Sequence, residues 1–387
     1  MSWLFIIVLI DSIGFGIILP LLPILAKTLN MSAFDLGIIV SSFAFFQFLF
    51  SPILGVLSDN FGRKLIIIIC LLSISLSYHF LAISTTFYEI LFARGLAGIF
   101  TGNISIVMAS ASDLSTEKNR AQYMGYIGAA LGIGFILGPI IGGLLAGSSF
   151  EIKDLGFVFN IASIFTFIAG ILSIFFLKET LTKHSHIRHN YFFLQEIKLT
   201  LKNIFIDKHI VFLIYLSILT WFSFSSIQVF LTSWSVDNFN FDPLELGIIS
   251  TTFAFIFALI QIILTKFLNG NKALLIGFII SMISMLINPN LFQLTIIVFG
   301  LALGLGILFP NLNSSISLYG TDKQRGFIIG ISQSAGTLGQ ALGPIFVGFI
   351  YTHININTAW LLIAGGFLLS IIITLKYMFL QKNNQIS

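Results

Sequence analysis

The chain has 387 residues, of which 57% are hydrophobic and only 9% charged, against roughly 25% charged in a typical soluble domain. So few charges exclude a water-soluble fold. The net charge of +4 is spread over short hydrophilic connectors, not gathered into the basic stripe that a nucleic-acid partner requires, and one cysteine, Cys70, leaves no disulfide framework or cysteine metal site.

A hydrocarbon core about 30 Å thick takes about 20 apolar helical residues to cross, and runs of that size fill nearly the whole chain. The first six are predicted near 3–26, 36–57, 65–84, 87–110, 121–146 and 155–177. The first has no cleavage site before the next run, so it is read as a retained membrane helix. It carries Asp11, then Gly14, Gly16, Pro20 and Pro23. An aspartate at a helix centre in lipid costs roughly 2.5–3.5 kcal/mol, so it faces a cavity or a partner; the alternative is an acid near the helix start that reaches interfacial water.

The connector after the second run, Gly55-Val56-Leu57-Ser58-Asp59-Asn60-Phe61-Gly62-Arg63-Lys64, joins an acid at a helix end, a glycine turn and two cations. The cations alone are topology markers, whereas Asp59 in the same turn points to a charge lock on a neighbouring helix N-terminus. The fourth run holds the only intramembrane base, Arg94, followed by Gly95, Gly98, Gly102 and Asn103. Counting 1.5 Å per residue inward from opposite ends puts Asp11 and Arg94 together near the midplane. A direct or water-bridged pair is therefore expected, either as a proton-exchanging switch or as a structural contact. In the fifth run Gly125, Gly128, Gly132, Gly134, Gly138-Pro139, Gly142-Gly143 and Gly147 make a small-residue face for close packing, with a proline bend.

A hydrophilic segment over 179–208 separates a first bundle, 1–178, from a second, 209–387. Leu194, Ile197, Leu201, Ile204 and Phe205 recur there at helical spacing, as in an interfacial amphipathic helix or a solvated helix capping the bundle. His184, His186 and His189 read as solvated loop rather than a metal tract. Six more runs follow near 210–234, 246–265, 273–288, 291–309, 326–350 and 358–380, with a turn at Asn288-Pro289-Asn290.

A shift of 205 lays Gly134 on Gly339 and Gly138-Pro139 on Gly343-Pro344, and a shift of 210 lays Leu36-Gly37-Ile38-Ile39 on Leu246-Gly247-Ile248-Ile249. Six crossings separate the mates, which makes the repeat parallel. The second-half connector, Thr265 through Lys272, lacks the acid. With both termini in the cytoplasm, sixteen of the nineteen Lys and Arg residues fall inside, leaving Lys27 and Lys153 outside and Arg94 within a helix. The expected fold is thus an all-α integral membrane protein of twelve transmembrane helices, in two six-helix bundles related by a pseudo-two-fold repeat.

The amides Gln47, Asn160, Gln228, Gln333 and Gln340 are cavity lining or interhelical glue; Asn103, Gln228 and Gln333 are assigned to a substrate cavity. No phosphate-binding loop, zinc-protease signature or nucleophile elbow occurs. ATP drive and enzymatic chemistry are not expected, nor is a metal.

These strings resemble the major facilitator superfamily, and within it the twelve-helix drug:proton antiporters of the tetracycline-efflux type. The Gly55–Lys64 string is similar to that family's loop after helix two, Arg94 to its helix-four arginine, and Gly134, Gly138, Pro139, Gly142 and Gly143 to its helix-five antiporter motif. Asp11 with its glycines and prolines is similar to helix one of those exporters, and Phe176-Leu177-Lys178-Glu179-Thr180 to their end of helix six. The resemblance implies the major facilitator fold and a monomeric carrier in a bacterial cytoplasmic membrane. It would export small amphipathic molecules by alternating access, with the proton gradient as its drive and no cofactor. It also implies a cytoplasmic gate at Gly55, Asp59, Gly62, Arg63 and Lys64, with proton coupling at Asp11 and Arg94. Ser77 stands before Tyr78 where the tetracycline exporters have an acid, and the ninth run has none. The alternative on the same scaffold is an uptake carrier for a nutrient or metabolite.

Overall fold

A computed structural model of the chain describes residues 1–116, 119–181, 208–287, 291–317 and 322–384. The expected amphipathic helix, the three linker histidines and the Asn288-Pro289-Asn290 turn lie outside those residues. Among the described residues there is no strand, and the helices form twelve rods. In chain order they are α1 Ser2–Thr28, α2 Ala33–Phe61, α3 Arg63–Ile83, α4 Phe87–Asp113, α5 Arg120–Ala146, α6 Ile152–Phe176, α7 Lys208–Phe239, α8 Pro243–Ile263, α9 Gly270–Leu286, α10 Leu291–Ser317, α11 Asp322–His353 and α12 Ile356–Asn384. Ten are long and apolar enough to cross a membrane, and α9 is a shorter apolar helix. The protein is therefore a multi-pass membrane protein.

Local chemistry sets the ends and breaks. Ser32 and Asp35 form a reciprocal capping box at the start of α2, and Thr86 and Glu89 do the same for α4. Each pair satisfies donors that the first turn leaves orphaned, so these acids are caps as well as charges. A 3₁₀ turn over Leu19–Leu21, which contains Pro20 and is followed by Pro23, interrupts α1, because proline cannot donate to the helical ladder. A second break, at Thr101–Gly102, divides α4 into Phe87–Phe100 and Asn103–Asp113.

By its contacts the chain divides into two units, one of Met1–Ile187 with Leu231–Ala254, the other of Arg188–Phe230 with Phe255–Ser387. The end of α7 and the start of α8 thus group with the first unit. Three contacts hold them there: the Lys27 ammonium donates to the Val236 carbonyl at 2.7 Å, Leu244 N donates to Gly147 O at 3.2 Å, and a Cβ on Gly143 would stand 2.9 Å from Pro243 O.

Within the first unit α1 packs most extensively on α5 and α6, α3 on α6, and α2 on α4. A side chain at Gly138 would meet the Gly16 Cα at 2.6 Å, so two glycines let these backbones touch. The second unit repeats the device: α11 comes to α7 through Gly339, which abuts Ile218, and Gly343, which abuts Phe222 and Ser225. Those two glycines are the mates of Gly134 and Gly138 under the shift of 205.

Candidate functional site

The Asp11 carboxyl projects from the middle of α1 towards α4 and α6. Asn103, the first residue of the lower α4 segment, and Thr166 of α6 are the polar side chains that face it. Gly14 makes room for that approach, since a Cβ there would stand 2.8 Å from Thr166 Oγ1. Asp11 Oδ1, Asn103 Oδ1 and Thr166 Oγ1 are all buried without a hydrogen-bond partner. A cavity of about 10 Å³ lies between Asp11, Asn103 and the apolar side chains of Ile67, Val107 and Leu131; that is room for about one water. Buried oxygens left unpaired are costly, and two of these, on Asp11 and Asn103, belong to residues that line the cavity. They leave it ready to take a proton, a water or a donor.

The expected pairing of Asp11 with Arg94 is not made. Asp11 faces Asn103 and Thr166, and the guanidinium held by carboxylates is that of Arg63. Arg94 is 1% exposed, lies with its guanidinium carbon 4.4 Å from the centre of the Phe43 ring, and leaves Nε and one Nη unpartnered. Its neighbours belong to α2 and α3: Phe43, and Tyr78, which is 2% exposed. The error has a geometric cause. α1 and α4 are each 27 residues long, or roughly 40 Å, which exceeds a core of about 30 Å. Positions counted inward from opposite ends of such rods do not converge. Asp11 is level with Asn103, and Arg94 stands nine residues away along α4, about 13 Å.

At the end where α2 meets α3 the charges are organised. Gly62 turns the chain at φ +102, a conformation that favours glycine, and a Cβ there would collide with the Glu179 carboxylate. That carboxylate accepts from Arg63 N at 2.9 Å and Lys64 N at 3.1 Å, capping α3 where its dipole is positive. Thr180 N and Leu181 N donate to it as well, each at 2.9 Å. The Arg63 guanidinium bonds Asp59 at 2.6 Å, Ser58 Oγ at 2.7 Å and Asp113 at 3.4 Å. Thr180 Oγ1 adds a bond to Asp113 at 3.3 Å, and the Lys64 ammonium closes on the Ile174 carbonyl of α6 at 2.7 Å. Asp59 therefore pairs across its own turn, and Glu179 holds the N-terminus of α3. Gly55 faces open space.

The glycines of α5 do not act as one face. Gly134, Gly138 and Gly142 pack against Ser12, Gly16 and Ile17 of α1, and Gly143 packs on α8, while Gly125, Gly128, Gly132 and Gly147 have nothing near their missing side chains. Pro139 sits inside the helix, its Cδ 3.3 Å from where a Gly16 side chain would be. Of the amides assigned to a substrate cavity, Asn103 is buried at the Asp11 site, whereas Gln228 and Gln333 belong to the second unit, the first half-buried and the second exposed.

Sequence reasoning passed over four residues. Asp113 and Glu179 look like ordinary acids at helix ends, and only the fold shows what they hold. Thr166 carried no signal. His79 did carry one: it is a histidine inside an apolar run, exposed and 2.8 Å from Asn160 of α6.

The family profile of the Major Facilitator Superfamily matches residues 4–270 and 216–385. Multidrug resistance protein 2 of Bacillus subtilis (strain 168) is 30% identical, over 97% of this chain and 94% of that protein. Tetracycline resistance protein, class H, of Pasteurella multocida is 31% identical, over 90% of this chain and 88% of that protein. Among solved structures, the human organic anion transporter MFSD10 (TETRAN) superposes with a TM-score of 0.72 at 24% identity, covering 96% of this chain and 98% of that one.

Proposed function

The chain belongs to the major facilitator superfamily, and from that membership we propose that it is a proton-coupled exporter of small amphipathic molecules. The observation that carries the coupling is the Asp11 site: one carboxyl inside a membrane helix, with a buried oxygen that no protein donor satisfies, beside space for a single water. Such a group gains by taking up a proton when the path closes over it, and gives it up when water returns. Export is supported by the two relatives whose names concern drug resistance, and by the resemblance of the α5 glycines to the antiporter motif. An uptake carrier would share the scaffold, but nothing found in the comparisons favours it over export.

In this reading the Arg63 network is the cytoplasmic gate. The concentration of Lys and Arg in alternate connectors supports cytoplasmic termini in a bacterial inner membrane. The carrier works as a monomer by rocking one bundle against the other, and needs no cofactor beyond the proton gradient. Arg94, buried over an aromatic face, braces α4 against α2 instead of exchanging a proton with Asp11.

Expression in a bacterial host stripped of its own drug pumps tests the direction. Resistance to at least some hydrophobic or weakly cationic drugs should rise, and it should vanish on adding a protonophore. Flat resistance across a broad panel, together with increased uptake of a labelled metabolite, would overturn export.

A further inference from the structure

The lower segment of α4 has the Asp11 site at one end and the Arg63 network at the other. Asn103, its first residue, faces the Asp11 carboxyl, and Asp113, its last, holds the Arg63 guanidinium and accepts from Thr180. The eleven residues between and including them form one unbroken helix, roughly 16 Å long. Above it the rod is interrupted at Thr101–Gly102, where backbone bonds shorten to the i to i+3 pattern (Ile104 N to Thr101 O at 3.5 Å, Ser105 N to Gly102 O at 3.3 Å). Thr101 Oγ1 and Ser105 Oγ back-bond to carbonyls on either side of the break, Ala97 O and Gly102 O, each at 2.7 Å. Gly102 lies so close to α2 that a Cβ would stand 2.9 Å from the Ser51 Cα. Irregular backbone at membrane depth is tolerated where it is buried in protein or lines a cavity, and this break adjoins the cavity that holds Asp11.

We propose that Asn103–Asp113 is a strut that carries the protonation state of Asp11 to the Arg63 ion pairs, with Asn103 as the residue that reads it and Thr101–Gly102 as the fulcrum. This rests on the proton-carrier reading of Asp11 given above. An ionised Asp11 accepts from the Asn103 amide N–H and draws α4 towards α1. Protonation weakens that bond, and the new carboxyl O–H can reach Asn103 Oδ1, which has no partner, only if the amide turns or the segment moves. A shift at Asn103 reaches Asp113 through an intact helix, and there it changes the distance to Arg63, whose long bond of 3.4 Å contrasts with the 2.6 Å bond to Asp59. The titratable groups that feel the charge of Asp11 are Cys70 and Tyr78 of α3, and Arg94 acts on Tyr78. At the far end the charged neighbours are Arg63, Asp59 and Glu179.

The full-length protein in lipid nanodiscs, spin-labelled at Asn60→Cys and Leu114→Cys, reports the strut directly, because both positions are exposed and the native Cys70 is buried. The distance between labels should change between about pH 5 and about pH 8, and that change should disappear in both Asp11→Asn and Asn103→Leu. Asn103→Gln, which keeps an amide, should restore it with a midpoint moved by about one pH unit or less. An unchanged pH profile in Asn103→Leu, or no pH response in the wild type, while Asp11→Asn still abolishes proton-coupled transport, would overturn the strut and leave the carrier reading standing. Undiminished proton-coupled transport by Asp11→Asn would overturn both. Should Asn103→Leu fail to fold, Asn103→Ala carries the same test.

Discussion

Two glycine turns, one in each half, begin α3 and α9 and solve the same problem by different means. Gly62 and Gly270 both adopt positive φ, at +102 and +68. At the first turn the exposed amides of the new helix are taken by a carboxylate, Glu179, inside a network that includes Arg63, Asp59 and Asp113. At the second, Gly270 N donates at 3.2 Å to a neutral side chain, Asn311 of α10, which is buried and itself donates to the Ile307 carbonyl. A neutral cap supplies a hydrogen bond and little else. The charged one adds ion pairs whose strength depends on the water around them, so it is the turn suited to open and close. The same division runs through the bundles: Gly134 and Gly138 of α5 and Gly339 and Gly343 of α11 pack alike, yet α1 carries an acid near its middle where the middle of α7 offers hydroxyls and aromatic rings such as Trp221 and Phe224.

If the charged turn is a gate and the neutral turn a staple, their substitutions should separate. The largest effect is expected from Arg63→Ala, which leaves Asp59 and Asp113 without their cation: drug efflux should fall to the vector control in the susceptibility assay, while the protein still inserts and purifies. Gly62→Ala comes next. It forces an ordinary residue into a glycine conformation worth about 1–3 kcal/mol and drives a methyl into Glu179, so both transport and thermal unfolding in detergent should suffer. Asn311→Ala should cost about 1 kcal/mol of stability and leave transport near the wild-type level. Equal loss of transport from Arg63→Ala and Asn311→Ala would break the comparison. Glu179→Gln, smallest of the set, keeps the acceptor and removes the charge; a few tenths to about 1 kcal/mol is expected, shrinking as salt is added.

Much of this was legible before any fold was known. Apolar run lengths located the rods, and the shift of 205 paired Gly134 and Gly138 with Gly339 and Gly343, the glycines at which α5 and α11 meet α1 and α7. The turn at Gly62 was readable as a string. What the one-dimensional pattern could not supply was azimuth: a residue's distance along a rod says how deep it is, not which neighbour it meets. Asp11 and Arg94 were joined on depth alone, and the structure sends one to Asn103 and Thr166, the other to Phe43. For the same reason Glu179 was quoted within a string yet given no task, because a carboxylate at a helix end reads identically whether it is solvated or caps a helix more than a hundred residues earlier.

The central claim is that Asp11 couples proton entry to solute exit. Proteoliposomes holding the purified protein, loaded at low internal pH and offered a fluorescent lipophilic cation outside, measure this directly. Wild-type protein should concentrate the cation against its gradient until a protonophore is added, and Asp11→Asn should behave like empty liposomes. Accumulation by Asp11→Asn at the wild-type rate, still driven by the pH gradient, would contradict the account.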